Sequence, residues 1–151
     1  MDDGVLSMSK PYGITIFADD IRQEEDGKSF IIGVYSDGLD IPQVPVMVPT
    51  FAFLIKLLEP IEFKGRTARI KIFGPSESGP EVIFDQELDA SRWDITDSND
   101  FDPEAEYVGS SLIIRASPLP VKAPGYFRVR AYYDDEEIKL GSLRIGYTPA
   151  E

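Results

Sequence analysis

The sequence contains neither cysteine nor histidine among its 151 residues. Without cysteine there are no disulfides, no thiolate metal sites and no thiol nucleophile. Without histidine there is no Ser-His-Asp triad, no imidazole-ligated zinc or iron, and no side chain whose ordinary pKa lies near neutrality. These two absences remove most hydrolase and metalloenzyme templates. The sequence therefore predicts a protein that is not an enzyme and that needs no cofactor.

Positive charge and long apolar runs are also scarce. The chain has 15 Lys and Arg residues against 27 Asp and Glu, a formal charge of −12. Such a negative field disfavours nucleic-acid backbones and anionic membranes as partners. The most apolar stretch, residues 51–58, is interrupted by Lys56 and is far below the roughly 20 residues that span a bilayer. Because the acidic N-terminus also lacks the features of an export signal, we expect a cytoplasmic protein.

Apolar material is sufficient for one core, since 42% of the residues are hydrophobic and 11% are aromatic. A chain of this length and composition is typical of one folded domain. We expect residues 1–10 to form a loosely attached or disordered tail and residues 11–149 to form a single domain.

The apolar residues recur with a period of two, which indicates β-strands. Residues 12–19 and 65–73 alternate in this way, and Asp26-Gly27 supplies turn chemistry between the first two strands. Helix is expected only as a short turn near residues 90–94. About eight strands emerge, which predicts an all-β, two-layer antiparallel sandwich of immunoglobulin-like or Greek-key type, with a jelly roll as the alternative. Segment 51–58 is apolar on both faces, which indicates a central strand or an oligomer contact.

Basic residues fall inside the predicted strands, mostly in the polar phase of the alternation. If these strands share one sheet, its outer face combines cations with a tyrosine, a composition typical of protein-binding surfaces. The alternative is a row of cross-strand ion pairs with Asp85 and Glu87, each contributing about 0.2–1 kcal/mol. The leading hypothesis is a protein-interaction module that binds another protein or a second copy of itself, as a homodimer. Its candidate residues are Arg69, Lys71, Arg128, Arg130, Tyr132 and Arg144.

An acidic loop over residues 94–106 carries the alternative hypothesis, a Ca²⁺- or carbohydrate-binding module. Calcium prefers several carboxylate and carbonyl oxygens on one flexible segment. The spacing does not fit an EF-hand, because Phe101 stands at a ligand position and Asp102 at the glycine position. Trp93 and Tyr107 flank the loop and would offer rings to a sugar, although burial of Trp93 in the core is the simpler interpretation. The candidate metal ligands are Asp94, Asp97, Asn99, Asp100 and Asp102.

Adjacent carboxylates close the first predicted strand, at Asp19-Asp20-x-Arg22. Two neighbouring carboxylates can bind a cation or share a proton. The simpler interpretation is that one carboxylate caps backbone N–H groups and the other pairs with Arg22.

Short motifs in the first third of the chain carry a resemblance to a known family. They are Ala18-Asp19-Asp20-Ile21-Arg22, Gly27-Lys28, Ile32-Gly33-Val34-Tyr35 and Pro49-x-Phe51, followed later by Pro124-Gly125-Tyr126-Phe127. In this order they resemble an uncharacterised bacterial family of small β proteins, a domain of unknown function. The resemblance implies a β-sandwich and a bacterial source, and it transfers no catalytic or ligand-binding residue.

Overall fold

A computed structural model describes residues 9–149 of the chain. Most of the predicted tail, residues 1–8, therefore lies outside the described residues. No helix in the described range is long and apolar enough to cross a membrane. The strands are β1 Tyr12–Gln23, β2 Ser29–Val34, β3 Leu39–Ile41, β4 Val46–Val48, β5 Phe51–Pro60, β6 Ala68–Gly74, β7 Glu81–Leu88, β8 Tyr107–Ala116, β9 Leu119–Val121, β10 Gly125–Tyr133 and β11 Glu136–Tyr147, with 3₁₀ helices at Ile61–Phe63 and Ala90–Asp97.

Two sheets pack together. Sheet A has the strand order β2-β1-β5-β8, sheet B has the order β3-β11-β10-β6-β7, and β4 pairs with β9 in a small third sheet. The pairs are antiparallel except for β3 and β11, which run parallel. The predicted all-β sandwich is confirmed. The described residues form more strands than the eight predicted. The additional strands β3, β4 and β9 have three residues each, which is too few to show an alternating pattern in the sequence.

The core lies between the two sheets, and alternation decides which side chains enter it. In β6 the side chains of Ala68, Ile70 and Ile72 are buried, while those between them reach the surface. They face Phe53 and Ile55 of β5, which belong to the same core cluster. Full burial of an aliphatic or aromatic side chain of this size contributes about 1.5–3 kcal/mol. The alternation predicted for residues 65–73 is therefore confirmed from Ala68 onward, whereas residues 65–67 precede the strand and are all exposed.

Strand β5 is central in sheet A, between β1 and β8. One of its faces joins the core, and the other joins a second buried cluster on the opposite side of the sheet. That cluster consists of Ala18, Ile21, Ala52 and Leu54, with Ile16 and Ile113 packed against it. The doubly apolar pattern of residues 51–58 is thus explained by a central strand, one of the two predicted alternatives, and requires no oligomer contact.

A buried polar cluster ties the second 3₁₀ helix to both sheets. Glu59 of β5 is only 1% exposed, and its carboxylate accepts two hydrogen bonds from Arg92, Nε to Oε1 at 2.9 Å and Nη2 to Oε2 at 2.6 Å. The hydroxyl of Tyr133, on β10, donates to Oε2 at 2.8 Å. Asp89 caps this helix by accepting from the Ser91 N–H at 2.9 Å. The second 3₁₀ helix therefore extends to Asp97, beyond the turn predicted near residues 90–94, and includes the first four residues of the acidic loop.

Candidate protein-docking face

The six residues predicted from the polar phase of the strands lie on one surface, the solvent side of sheet B. Strands β6, β10 and β11 are neighbours in this sheet. Arg130 lies opposite Lys71 and Tyr132 lies opposite Arg69 across the β6–β10 pair. The intervening residues of β6 and β10 are buried. The basic face is defined here as Arg69, Lys71, Arg128, Arg130, Tyr132 and Arg144, together with Tyr126 and Lys139.

Tyr126 and Lys139 were not among the predicted residues. Tyr126 lies opposite Arg144, and Lys139 lies opposite Arg130 in the β10–β11 pair. A register shift between Arg128 and Arg130 interrupts this pairing. Tyr126 shares the two-residue phase of Arg128, so the alternation already contained the signal for it. Lys139 could be placed only once the shifted register was known.

Some cations of the basic face are paired with carboxylates. Arg69 Nε lies 2.6 Å from Asp85 Oδ1, and Arg144 Nη2 lies 3.3 Å from Asp40 Oδ1. Exposed pairs of this kind contribute about 0–1 kcal/mol. The alternative interpretation, cross-strand ion pairs with Asp85 and Glu87, therefore holds for Arg69 and Asp85. Glu87 lies opposite Arg69 in the register.

Two cations are held differently. Within residues 9–149, no carboxylate lies within 4.0 Å of the charged groups of Lys71 or Arg128. The Lys71 Nζ lies 5.4 Å from the centre of the Tyr132 ring, and the Arg128 Cζ lies 5.1 Å from the centre of the Tyr126 ring. A cation over an aromatic ring at an exposed site gains about 0.5–1 kcal/mol. The rings therefore stabilise two positive charges that form no ion pair within residues 9–149, although Asp85, which pairs with Arg69, lies opposite Lys71 in the β6–β7 register.

Tyr132 and Arg130 are fixed by their neighbours. The Tyr132 hydroxyl donates to Glu137 Oε2 at 3.0 Å. Burial raises the pKa of Tyr132 above its ordinary value, and the hydrogen bond and negative charge of Glu137 raise it further. Arg130 Nη1 donates to the Val129 carbonyl at 2.9 Å. Tyr132 therefore stays neutral at physiological pH and acts as a platform for Lys71.

The charge of this surface is opposite to that of the molecule. The solvent side of sheet B carries six cations and four carboxylates, whereas the formal charge of the whole protein is −12. The cations are Arg69, Lys71, Arg128, Arg130, Lys139 and Arg144, and the carboxylates are Asp40, Asp85, Glu87 and Glu137. The sheet concentrates positive charge at one place on an otherwise acidic surface.

The acidic loop does not converge on one point. In the part of the chain that the structure describes, no three carboxylates lie close enough together to hold a metal ion. Asp97 accepts a hydrogen bond from Lys64 Nζ at 2.9 Å, and Asp102 accepts from the backbone N–H of Glu104 at 2.9 Å. Trp93 is 3% exposed, so its ring is part of the core and is not presented to a sugar. The structure gives the Ca²⁺ and carbohydrate hypothesis no support.

The carboxylates of Asp19 and Asp20 go to different partners. Asp20 accepts from Arg22 Nε at 3.0 Å and from the backbone N–H of Ile21 at 2.9 Å. The hydrogen bond from Arg22 lowers the pKa of Asp20, with smaller help from the Ile21 N–H and the nearby arginine charges, against a contrary effect of burial. Asp19 instead accepts from the Tyr35 hydroxyl at 2.5 Å. The capping and pairing interpretation therefore describes Asp20.

A cleft opens where the two sheets part along β7 and β8. It has a volume of about 310 Å³ and is lined by Leu57, Leu88, Leu112 and Arg92, among others. Arg92, the cation in its wall, is already bound to Glu59. The cleft thus offers mainly an apolar wall, and its arginine is not free to bind an anion.

A model of a family of unknown function, DUF6941, matches residues 13–146. The chain belongs to this family. The resemblance predicted from the motifs of the first third is confirmed to this extent, and membership assigns no role to any residue. No curated protein matches the chain.

One similar solved structure is the 1.4 Å crystal structure of an uncharacterized protein from Bacillus anthracis str. Ames. It is 14% identical, the match covers 73% of this chain and 85% of that chain, and the TM-score is 0.31. Similarity at this level carries no functional argument.

Proposed function

We propose that this protein is a non-enzymatic interaction module whose basic face docks an acidic segment or acidic surface of another protein. The observation that carries the proposal is that Lys71 and Arg128 rest on tyrosine rings and that, in the described range, no carboxylate oxygen lies within 4.0 Å of their charged atoms. Arginine and tyrosine are enriched at the residues that dominate binding energy in protein interfaces. A sheet surface with such side chains offers a partner charge and aromatic area together.

Electrostatics selects the class of partner. Nucleic acid carries dense negative charge along its whole length and would meet the acidic remainder of the molecule as well as the basic face. An acidic protein segment is short enough to touch the basic face alone. The surrounding negative field would then orient it, since complementary patches steer association and suppress wrong orientations.

A second copy of the chain is a poor partner for this particular face. Two basic faces brought together would oppose like charges, which disfavours the contact. The predicted protein partner at this face is therefore a different, acidic molecule. Location in the cytoplasm, the lack of enzymatic activity and independence of any cofactor also remain proposals, and the absence of cysteine and histidine supports the last two.

Calorimetric titration with a peptide of eight glutamates tests the proposal, with a peptide of eight serines as the ligand control. We expect the glutamate peptide to bind, its affinity to fall as salt is added, and Arg128→Glu to weaken binding by about tenfold or more. The matched control is Lys28→Glu, which makes the same charge change on the β1–β2 turn. Equal losses from the two variants would show that net charge, rather than the basic face, governs binding.

A further inference from the structure

Strand β2 is a free edge of sheet A, and all six of its residues are exposed. Phe30 is 58% exposed, Ile32 48% and Val34 55%. An edge strand also points half of its backbone N–H and C=O groups away from its own sheet. The strand therefore presents unpaired hydrogen-bonding groups and apolar side chains to solvent at the same place.

The outer strands of the two main sheets differ in charge. Natural edges are commonly protected by charged residues, proline, bulges or shortness. Strand β7 carries Glu81, Asp85 and Glu87, β8 carries Arg115, and β3 is three residues long with Asp40 in its middle. Strand β2, Ser29–Val34, contains no charged residue and no proline, although more than a quarter of the chain is charged.

We infer that β2 pairs with β2 of a second copy of this chain, antiparallel and about a two-fold axis, so that two A sheets form one continuous sheet. Two molecules with a charge of −12 repel each other, and a strand without charge is the edge at which they meet with least repulsion. A two-fold axis makes the contact self-complementary. The surface lies in sheet A, so the inference goes beyond the proposed function, which uses sheet B.

The flanking charges agree with an antiparallel arrangement. Lys28 immediately precedes β2, with its Nζ 3.5 Å from Asp26 Oδ2 of the same turn, and Asp37 follows the strand after a short bend. In an antiparallel pair, Lys28 of one copy comes to the same end of the interface as Asp37 of the other. A parallel pair would instead place lysine near lysine. Gly33 has a φ of 69°, which departs from extended backbone, so the regular part of the pairing is expected before this glycine.

Light scattering of the full chain, from low to high micromolar concentration, tests the inference. We expect the mass to rise toward twice 16.9 kDa. Ile32→Lys places the charge that natural edges use for protection in the middle of β2, and we expect it to raise the dimer dissociation constant about tenfold or more. The matched control is Val82→Lys on β7, where the native side chain is 47% exposed. A circular-dichroism spectrum of each variant checks that the strands remain.

A second experiment mixes two variants that place opposite charges at the same position of β2. Ile32→Lys and Ile32→Glu should each remain monomeric alone, and their mixture should recover a dimer because the two paired edges then carry charges of opposite sign. A wild-type protein that stays monomeric throughout overturns the inference. A dimer that Val82→Lys disrupts and Ile32→Lys does not also overturns it. Arg128→Glu should leave the mass unchanged, so failure of this inference and failure of the proposed function are distinguishable.

Discussion

The buried ion pair between Glu59 and Arg92 offers a sharp test of how the fold is held together. Replacing Arg92 by methionine keeps most of the side-chain volume and removes the guanidinium. Glu59, which is 1% exposed, would keep only the hydrogen bond from Tyr133. The carbonyls of Leu88 and Asp89, which accept from Arg92 Nη1 at 2.9 and 2.7 Å, would lose that donor as well.

The expected cost follows from leaving one buried charge without its partner. Breaking such a pair costs about 3–5 kcal/mol, against a total stability of about 5–15 kcal/mol for a typical domain. For a domain of this size each kcal/mol shifts the melting temperature by about 2–4 °C, so Arg92→Met should lower it by about 6–20 °C. The double variant Glu59→Met, Arg92→Met should recover part of this loss, because it leaves no unpaired charge.

Urea unfolding followed by fluorescence of Trp93, the single tryptophan of the chain, measures both effects. The control is Lys64→Met, which breaks the exposed pair between Lys64 Nζ and Asp97 Oδ1 at 2.9 Å. That change should cost no more than about 1 kcal/mol. If Arg92→Met costs no more than Lys64→Met, the buried pair does not anchor the 3₁₀ helix to the sheets, and the reasoning fails.

Two further predictions concern a glycine of strand β1 and a tyrosine whose hydroxyl donates to Asp19 of the same strand. A Cβ added at Gly13 would lie 2.0 Å from the Lys56 carbonyl oxygen, so Gly13→Ala should lower the free energy of unfolding in urea by about 1–3 kcal/mol. In the control Gly109→Ala the new Cβ would have nothing within 4 Å, and the change should stay within about 0.5 kcal/mol. Equal losses from the two variants would refute the close approach at Gly13. Burial raises the pKa of Tyr35 from 10.0 to about 12, and the hydrogen bond to Asp19 and the negative charge of Asp19 contribute to the increase. Stability should therefore fall as pH rises from 10 to about 12, because the unfolded chain loses this proton first. Asp19→Asn should lower the pKa of Tyr35, measured by NMR of the labelled ring, but not to 10.0, because burial remains. A wild-type protein in which Tyr35 already titrates near 10.0 would contradict this prediction.

The alternating pattern was sufficient to group the residues that each strand contributes to the basic face. Side chains two positions apart on a strand share a face, so the sequence alone predicts that Arg128, Arg130 and Tyr132 lie on the same face of their strand. That these three lie beside Arg69 and Lys71 depends on the pairing of β10 with β6. This pairing joins segments far apart in the chain, and a local pattern carries no information about it.

The buried cluster around Glu59 was not predictable for the same reason. Glu59 directly follows an apolar run, where a charged residue ordinarily marks the end of a strand. Its burial depends on Arg92, 33 positions away, and on Tyr133, 74 positions away. The three-residue strands were missed because β3, β4 and β9 are too short to show a period, and β9 contains Pro120.

Mapping backbone-amide chemical shifts during titration with the eight-glutamate peptide tests directly whether the basic face docks an acidic partner. We expect shift changes concentrated in β6, β10 and β11, strongest around Lys71 and Arg128 and much smaller in Arg128→Glu at the same peptide concentration. Shift changes centred on another surface, or none at peptide concentrations that saturate binding by calorimetry, would contradict it.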